Sequence, residues 1–547
     1  VLLAHGRIGR LRGRRRGPFR MPLNIPTSLT WLRILMIPVF VGVYYLPDAW
    51  LAPAGQNWLA MTVFAVAANI VTVRLLSQSQ YGLFSYASNW LRYASILSLF
   101  TLDAAVMRYV PEYRARGDRR GLLDLVYKVI GVHVVVWLLL TVVTVLTSPL
   151  LAGLGRVPLT RRPEMLALMT SGIVVVLPSV LYVSMQAVLT SFFAVRVQAV
   201  GSAVGGVLQI ALLWLFVSRL GWGGPGAMIA QLGMSGFLVL FYTAYILRLP
   251  FPAQTSEFRP IGLKRLLTFS LPYVINGVAG AVFLRQSEVL FLQPYWGSVV
   301  TATYSYAYML AQRFLEFVPA VLYGVGNVLS ASAFLEGRDQ LAKVMGIYWR
   351  VTAATITAVS IGGACLADKL VVLFYGSKAV EAAQYAAILF ITQAVIVFVN
   401  PYNFVMRAEE KTWLSFWLSP PAAAISLAVD FLLIPRFGLM GAAIATSITF
   451  SLVTIMQYMV FKRVFPYLKP PMGYFARCYV AALPMLLVWP LKQWLPGNAG
   501  LLAAVALAAG LWVAGARAMK LVGPEEADLI ERSGLPGRRM LLRALAS

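Results

Sequence analysis

The chain has 547 residues, of which 60% are hydrophobic and 12% are charged, and its mean hydropathy is +0.76. This composition excludes an ordinary soluble domain and is typical of a protein that crosses a membrane many times. The net charge of +26 indicates loops retained in the cytoplasm rather than nucleic-acid binding, because no large soluble basic domain accompanies the apolar runs. With two cysteines and two histidines, the chain offers neither a disulfide framework nor a His-rich metal site, and we expect no cofactor.

The first 20 residues are set apart by their charge. Residues 1–20 contain seven arginines and are expected to be disordered. Because the chain starts with Val1, we interpret this segment as an upstream translation artefact. An apolar stretch follows at 27–46. If it spanned the membrane, the arginines held inside would place the next helix on the wrong starting side. Alternatively, it lies in the membrane interface as an amphipathic anchor.

The segment after these arginines carries a resemblance of its own. Met21–Thr27 and Tyr45–Pro47 resemble the amino terminus of CDP-diacylglycerol–glycerol-3-phosphate phosphatidyltransferases. In that family an acidic signature, D-G-x2-A-R-x8-G-x3-D-x3-D, follows and holds the metal ions and the CDP-alcohol. Here Asn69–Thr72 follow instead, and the signature is absent from the chain. The enzymatic activity is therefore not carried over, and we interpret residues 21–68 as a fused or misjoined hydrophobic segment.

The apolar runs that follow predict about fourteen transmembrane helices. Helices are the only option, because the runs are continuous and hydrocarbon tolerates no unpaired backbone groups. The six predicted spans of a first lobe (58–247) are 58–76, 83–107, 129–151, 165–190, 199–218 and 226–247. After a basic cytoplasmic connector (248–265), the six of a second lobe (266–461) are 266–292, 299–329, 344–367, 382–405, 414–435 and 441–461. Two more spans at 474–491 and 500–519 form a last unit (474–519), which precedes a cytoplasmic tail at 520–547.

Short motifs recur in the same order in the two predicted lobes, at a nearly constant offset. The pairs are Ser85-Tyr86-Ala87 with Ser305-Tyr306-Ala307, Arg116-Gly117-Asp118 with Gly337-Arg338-Asp339, and Gly226–Ala230 with Gly441–Ala445. Their order indicates a duplication. A duplicated helical membrane protein is typically a transporter with its site between the halves.

The basic residues orient this array. The loops that follow the even-numbered predicted spans, counted from 58–76 as the first, hold 25 Lys and Arg together with the C-terminal end, whereas the opposite loops hold nine. Lys and Arg concentrate in cytoplasmic loops, so the 58–76 span is predicted to begin in the cytoplasm. The opposite loops are mostly very short, which leaves no room for an extracellular catalytic domain.

Two motifs carry a resemblance that covers residues 69–547. Arg74–Ser85 follows the first span, and Arg108–Tyr113 with Gly117-Asp118 follows the second. These segments resemble polysaccharide or O-antigen flippases of the multidrug/oligosaccharidyl-lipid/polysaccharide (MOP) exporter superfamily. The resemblance implies a MATE-like fold, with a V-shaped pair of six-helix lobes, a central cavity and two peripheral C-terminal helices.

The same resemblance implies a function without covalent chemistry. The chain would flip undecaprenyl-diphosphate-linked oligosaccharide across the bacterial cytoplasmic (inner) membrane by alternating access, for lipopolysaccharide or other surface-polysaccharide biosynthesis. It would act among membrane lipids, with glycosyltransferases and a polysaccharide polymerase as partners.

Charged residues inside the predicted spans are the candidate substrate contacts. A diphosphate is costly to move through hydrocarbon without cationic partners, and Arg92, Arg285 and Arg313 lie within spans. Arg92 and Arg313 are separated by almost the offset of the repeated motifs, so the duplication places them nearly equivalently and predicts that they face one cavity. Glu288 and Glu316 each follow an arginine at i+3, on one helical face. These two pairs could equally neutralise their own charges within their helices.

Two acids and two helix-bending residues complete the candidates. Asp103 and Asp430 are candidates for ion coupling, and a solvated or capping role is favoured for Asp430 because Pro435 follows it closely. Pro272 and Gly277 make the 266–292 span the candidate hinge, with a static kink as the alternative. The driving force stays open between the membrane potential, Na⁺ and H⁺.

Three other functions are less consistent with this sequence. A multidrug or toxin cation antiporter would share the fold, but the two motifs above resemble the polysaccharide branch. A phosphatidyltransferase would need the missing acidic signature. A membrane glycosyltransferase or polymerase would need a sizeable external loop for its chemistry.

Overall fold

The structure is a computed structural model, and every regular element in its described part is a helix. It describes residues 66–192, 194–249, 260–284, 286–411, 413–494 and 497–521, with the backbone alone at 195, 317–336, 397 and 498. The predicted segment 1–20 and nearly all of 21–68 lie outside these residues, as do most of the connector and the tail. The predicted all-α fold is confirmed.

Seven helices belong to the first lobe. They are α1 (Val66–Leu75), α2 (Gln78–Leu99), α3 (Leu102–Ala115), α4 (Arg119–Leu154), α5 (Arg162–Ser191), α6 (Val195–Leu213, continued by a π-helical turn, Trp214–Arg219) and α7 (Gly223–Ile246). Helix α5 packs against α2, α4 and α7, and thereby forms the centre of this lobe.

Ten helices follow the connector. They are α8 (Leu263–Leu284), α9 (Glu288–Glu336), α10 (Arg338–Cys365), α11 (Ala367–Tyr375), α12 (Ala382–Gln393), α13 (Asn400–Ala408), α14 (Trp413–Val464), α15 (Met472–Ala482), α16 (Val488–Leu491) and α17 (Gly497–Ala518). Helix α9 packs against α10, α12 and α14, and α15 packs against α10 and α17.

In the described residues, ten helical segments are long and apolar enough to cross a membrane. Together with the absence of strands there, this agrees with a polytopic helical membrane protein. The predicted number of fourteen spans and the predicted lobe boundaries stay predictions. We call the membrane face at the α1–α2 turn the outer face, following the predicted topology.

Two long helices contain a sharp turn at a single glycine. Gly297 has φ 79° and ψ 179° within α9, and Gly438 has φ 56° and ψ −128° within α14. Side chains disfavour such backbone angles, so glycine is the residue that permits each turn. The two turns pack together at the outer face, where the Trp296 indole donates to the Ile434 carbonyl at 2.9 Å and rests against Gly438.

Two predicted spans are interrupted in the structure. The 83–107 span breaks at Phe100 and Thr101, which have φ of 47° and 48°, and the 266–292 span breaks between α8 and α9. Hydropathy averages over many residues and does not detect a change confined to two backbone angles. At the first break, the buried His133 ring lies 2.8 Å from the Ser98 carbonyl and 2.8 Å from the Ser184 hydroxyl. Because the carbonyl can only accept, Nδ1 carries the proton and Nε2 accepts from the serine.

Helix α8 bridges the two halves of the chain. It packs against α14 along its length and also against α2 and α3 of the first lobe. At its inner end Phe269 lies against Tyr109 with ring centroids 5.9 Å apart, and Leu266 is fully buried in the same apolar cluster. Movement of α8 would therefore affect both lobes.

Three inner loops of the second lobe meet at one carboxylate. The Glu409 side chain is 3% exposed and accepts from Lys411 at 2.8 Å and from the Tyr467 hydroxyl at 2.5 Å, with Arg338 at 3.4 Å. Burial by itself raises the pKa of Glu409, but these hydrogen bonds and the charges of Lys411 and Arg338 outweigh it, so the pKa is lowered. The ionised form therefore stabilises this junction.

The substitution Glu409→Gln is expected to lower the free energy of unfolding by about 2 kcal/mol at neutral pH, the usual size for hydrogen bonds to a charged group. Because the folded pKa is depressed, the stabilisation is complete above the ordinary glutamate pKa of about 4.3 and is lost as pH falls below it. The Tm difference between wild type and variant, measured in detergent, should therefore shrink on acidification. The exposed neighbour provides the control, since Glu410→Gln should leave Tm unchanged at every pH. A pH-independent difference for Glu409→Gln would contradict the charge argument.

Candidate functional site

The two lobes meet where the duplicated motifs lie side by side. The Ser85 and Ser305 hydroxyls, which occupy the same place in the two repeats, are 2.7 Å apart and buried. Nearer the outer face, the Gln78 amide donates to the Thr303 hydroxyl at 2.9 Å. Helices α2 and α9 thus contact each other through polar side chains, and Ser85 and Ser305 occupy equivalent positions in the repeated motifs.

A glycine allows this contact to be close. A Cβ atom on Gly82 would lie 1.8 Å from the Ser298 carbonyl oxygen, far inside van der Waals contact. Small residues let membrane helices approach in this way. Any side chain at Gly82 would force α2 and α9 apart at the outer face.

Two basic side chains join the outer loops and were not singled out from the sequence. Arg74 donates to the carbonyls of Leu373 and Phe374, and Lys378 donates to the Val73 carbonyl at 2.6 Å. Burial, and secondarily the charge of Arg74, lower the pKa of Lys378. These bonds cap the carbonyl end of α1 with the loop after α11, so the outer ends of the two lobes are joined.

Within the first lobe lies a cavity of about 510 Å³, here called the first-lobe cavity. It is lined by α1, α2, α5, α6 and α7. Its amide side chains are Asn69, Gln186, Gln209 and Gln231, and its hydroxyl side chains are Thr72, Ser88, Ser95, Ser179, Tyr182 and Ser202. Arg92 is the only Asp, Glu, Lys or Arg among the lining residues in the described part of the chain. Among the described lining residues, the cavity thus combines amide and hydroxyl groups with apolar side chains, one cation and no acid.

The arginine candidates occupy different surroundings. Arg92 lines the first-lobe cavity, whereas Arg313 pairs with Glu316 at 3.5 Å on the same helix. Both arginines lie close enough to the Tyr81 hydroxyl to interact with it electrostatically. The i,i+3 neutralisation considered for Glu316 is therefore present, and the prediction that both arginines face one substrate cavity stays a prediction. Arg285 lies outside the described residues.

Glu288 belongs to a buried polar cluster in the second lobe. Its Oε1 accepts from Thr446 at 2.6 Å, and Tyr304 lies 2.6 Å from the same threonine. The Thr446 hydroxyl also lies 2.9 Å from the Ala442 carbonyl. Since its single proton goes to the carboxylate or to this carbonyl, Tyr304 is the donor in the bond between Tyr304 and Thr446. On the adjacent residue, the Ser287 hydroxyl donates to Asp430 Oδ2 at 2.8 Å.

Asp430 corrects the sequence-based interpretation. The favoured solvated or capping role is wrong, because the residue is completely buried inside α14, which continues past Pro435. Asp430 Oδ1 and Glu288 Oε2 are buried without a hydrogen-bond partner among the described residues. Two buried carboxylates with free oxygens can hold a proton or a small cation. The sequence missed this because the cluster joins α9 and α14, which are far apart in the chain.

The remaining candidate residues, Asp103, Pro272 and Gly277, lie within helices. Asp103 lies in the first turn of α3, where its charge complements the helix N-terminus, although one carboxylate oxygen is buried without a partner among the described residues. Helix α8 runs uninterrupted through Pro272 and Gly277, and a Cβ on Gly277 would contact Ile96 of the first lobe at 3.3 Å. The break in this region follows Leu284 instead, so hinge motion at the two earlier residues stays a prediction.

Comparison with known proteins agrees with this architecture. Residues 56–323 match the family model described as "Polysaccharide biosynthesis protein". The chain is 22% identical to stage V sporulation protein B of Bacillus subtilis over 76% of this chain and 85% of that protein. The solved structure of the lipid II flippase MurJ in an inward closed conformation superposes with a TM-score of 0.64, at 14% identity, over 84% of this chain and 96% of MurJ. The chain therefore has the fold of MOP-superfamily transporters such as MurJ, and residues 56–323 are similar to the polysaccharide biosynthesis family.

A second solved structure supports the same fold. An inward-facing multidrug resistance MATE family transporter superposes with a TM-score of 0.61, at 13% identity, over 75% of this chain and 95% of that one. At such identities the likeness establishes the fold alone. The function has to be argued from the residues of this chain.

The outer contact gives a testable prediction. In a background with Cys365 and Cys478 replaced by Ala, the pair Ser85→Cys and Ser305→Cys should form a disulfide on oxidation, because the two hydroxyls are 2.7 Å apart. A protease site placed in the connector reveals the bond, since the two halves stay joined on a non-reducing gel. Adding Gly82→Val should reduce the yield by separating α2 from α9.

The matched control is Gly131→Val, because a Cβ at that lipid-exposed glycine of α4 meets nothing within 4 Å. The yield should then equal that of the parent pair. Efficient cross-linking despite Gly82→Val would contradict the close-approach argument.

Proposed function

We propose that this protein flips an anionic lipid-linked oligosaccharide, carried on undecaprenyl diphosphate, across the bacterial cytoplasmic membrane for surface-polysaccharide biosynthesis. The observation that carries the proposal is the first-lobe cavity, whose only charged lining residue in the described part of the chain is Arg92. A cationic side chain at membrane depth costs several kcal/mol and marks a substrate or ion pathway. A diphosphate is a ligand that offsets this cost.

The same cavity argues against the multidrug alternative. A cationic drug needs carboxylates to replace its hydration, yet no acid lines the first-lobe cavity among the residues that the structure describes. The match to a polysaccharide biosynthesis family and the likeness to a lipid II flippase support the anionic, sugar-bearing cargo. A membrane glycosyltransferase would supply such a cargo, and a polymerase would consume it on the other side.

Alternating access is compatible with the way the lobes meet. The described contacts between α2 and α9 are hydroxyl and amide hydrogen bonds, such as Ser85 with Ser305, and not an extensive set of ion pairs. Each such bond contributes only about 1 kcal/mol net, so the hydrogen bonds between these two helices by themselves oppose opening only weakly. The present state has the outer halves of these helices together.

The buried cluster in the second lobe suits energy coupling. Glu288 and Asp430 are fully surrounded by protein, and each has a carboxylate oxygen without a partner among the described residues. Uptake of Na⁺ or a proton would offset the free-energy cost of burying these oxygens without a partner. It would also alter the packing between α9 and α14. Because α8 contacts both α14 and the first lobe, such a change has a structural route to the other lobe.

Arg92→Ala should reduce surface polymer at least tenfold in a strain that lacks its own polysaccharide flippase, because a charge-assisted contact to phosphate is lost. Arg92→Lys should retain part of the activity, since charge remains but the bidentate geometry does not. Arg196→Ala, at an exposed position in the first turn of α6, is the control and should behave as wild type. Full activity of Arg92→Ala at equal membrane levels would remove this arginine from the site.

Asp430→Asn should abolish the dependence of flipping on a cation gradient, because the amide takes up no proton and its neutral oxygen binds a cation far more weakly than the carboxylate does. In proteoliposomes, wild-type rates should rise with an imposed Na⁺ or pH gradient, and the variant should be slow and insensitive to either. Asp339→Asn changes an exposed acid at the start of α10 and should keep the wild-type response. A variant at position 430 that still responds fully to the gradients would exclude the cluster from coupling.

A further inference from the structure

We infer that the first-lobe cavity binds the uncharged sugar units next to the diphosphate, through the side-chain amides of Gln209 and Gln231, while Arg92 holds the phosphate. This inference rests on the proposed function and adds to it a sugar-binding subsite inside the first lobe. Its ligand class is a neutral hexose or N-acetylhexosamine, with hydroxyl and acetamido groups but no formal charge.

The chemistry of the lining fits such a ligand. A carboxamide has two donors and an acceptor with two lone pairs, so it can pair with sugar hydroxyls in either direction and with an acetamido group. Four amide side chains face the first-lobe cavity, from α1, α5, α6 and α7. Because no acid lines it in the described part of the chain, the cavity offers nothing that would favour a cationic amino sugar, and only Arg92 would favour an acidic one.

Some of the polar side chains that line the first-lobe cavity make no hydrogen bond to any described residue. Thr72 and Ser95 bond to carbonyls of their own helices, Ala68 at 2.8 Å and Leu91 at 2.9 Å, and so have little left for a ligand. In contrast, no hydrogen bond joins the amide of Gln209 or Gln231 to any described residue, and the buried Ser179 hydroxyl has no partner there.

Polar groups without partners are costly inside a membrane protein. The two half-buried amides and the buried Ser179 hydroxyl therefore leave donors and acceptors in one cavity open to a ligand.

Their positions along the helices separate the phosphate from the sugars. The outer ends of the three helices are Gln78 of α2, Gly223 of α7 and Arg219 at the end of the α6 π-helical turn. Measured from these ends, Arg92 is about four helical turns deep, Gln209 about three turns and Gln231 about two turns. With a rise of about 1.5 Å per residue, both amides lie roughly 6–9 Å nearer the outer face than Arg92. A lipid that enters from the inner leaflet would thus place its diphosphate at Arg92 and its sugars nearer the outer face, at Gln209 and Gln231.

The test compares two defined lipids on the full-length protein in nanodiscs. The probes are undecaprenyl diphosphate and its N-acetylglucosamine-bearing derivative, with binding followed by intrinsic tryptophan fluorescence. Wild type should bind the sugar-bearing lipid about tenfold more tightly, as two additional hydrogen bonds would give. The double variant Gln209→Leu with Gln231→Leu should bind both lipids equally, with the affinity for the bare lipid unchanged.

Two further variants separate the possible causes. Gln457→Leu changes a half-buried glutamine of α14 outside the cavity and should keep the tenfold preference. Arg92→Ala should weaken the binding of both lipids to the same extent. If the Leu pair does not fold, Gln209→Asn with Gln231→Asn keeps the amides but withdraws them by one carbon, and it should lose most of the preference.

The outcomes distinguish the two proposals. The sugar subsite would be overturned if wild type bound both lipids equally, or if the Leu and the Asn double variants of Gln209 and Gln231 both kept the preference. The flippase proposal would then remain intact. Failure of wild type to bind either lipid would overturn the proposed function itself.

Discussion

The close approach of α2 and α9 is the constraint on which the rest of the structure depends. At Gly82 the two helices come so near that a single methyl group would collide with the Ser298 carbonyl. Next to this point, Ser85 and Ser305 share a hydrogen bond between equivalent positions of the two repeats. Without a hydrophobic driving force between helices in lipid, such close packing and a few polar bonds are what hold the lobes together. The contact therefore brings the lobes together at the outer face.

The two lobes then diverge in chemistry despite their common origin. The first encloses a cavity lined by amides and hydroxyls with Arg92 as its cation, whereas the second buries Glu288 and Asp430 in a compact polar cluster. Opposite polarities in two halves of one transporter suit a division of labour, with the cargo in one and a coupling cation in the other. Helix α8 connects them, because it contacts α14 in the second lobe as well as α2 and α3 in the first.

Several features of the site followed from local sequence alone. Arg92 was recognisable because a cation within an apolar run is costly, and Arg313 with Glu316 because helical spacing brings i and i+3 together. The expectation for Asp430 was wrong, since its depth depends on how α14 continues past Pro435 and packs on α9. The amides of Gln209 and Gln231 gave no signal, because a glutamine in a membrane helix acquires meaning only from what faces it.

The sequence by itself determined that the protein is helical, polytopic and duplicated, because hydrophobic length, loop charge and repeated motifs are properties of the chain read in one dimension. Only the tertiary structure decided which of its polar residues share a site. Burial and hydrogen bonding depend on which helices become neighbours, and the relevant pairs, Ser85 with Ser305 and Ser287 with Asp430, are separated by 220 and 143 positions. Packing in three dimensions sets those distances, and no periodicity in the chain encodes them.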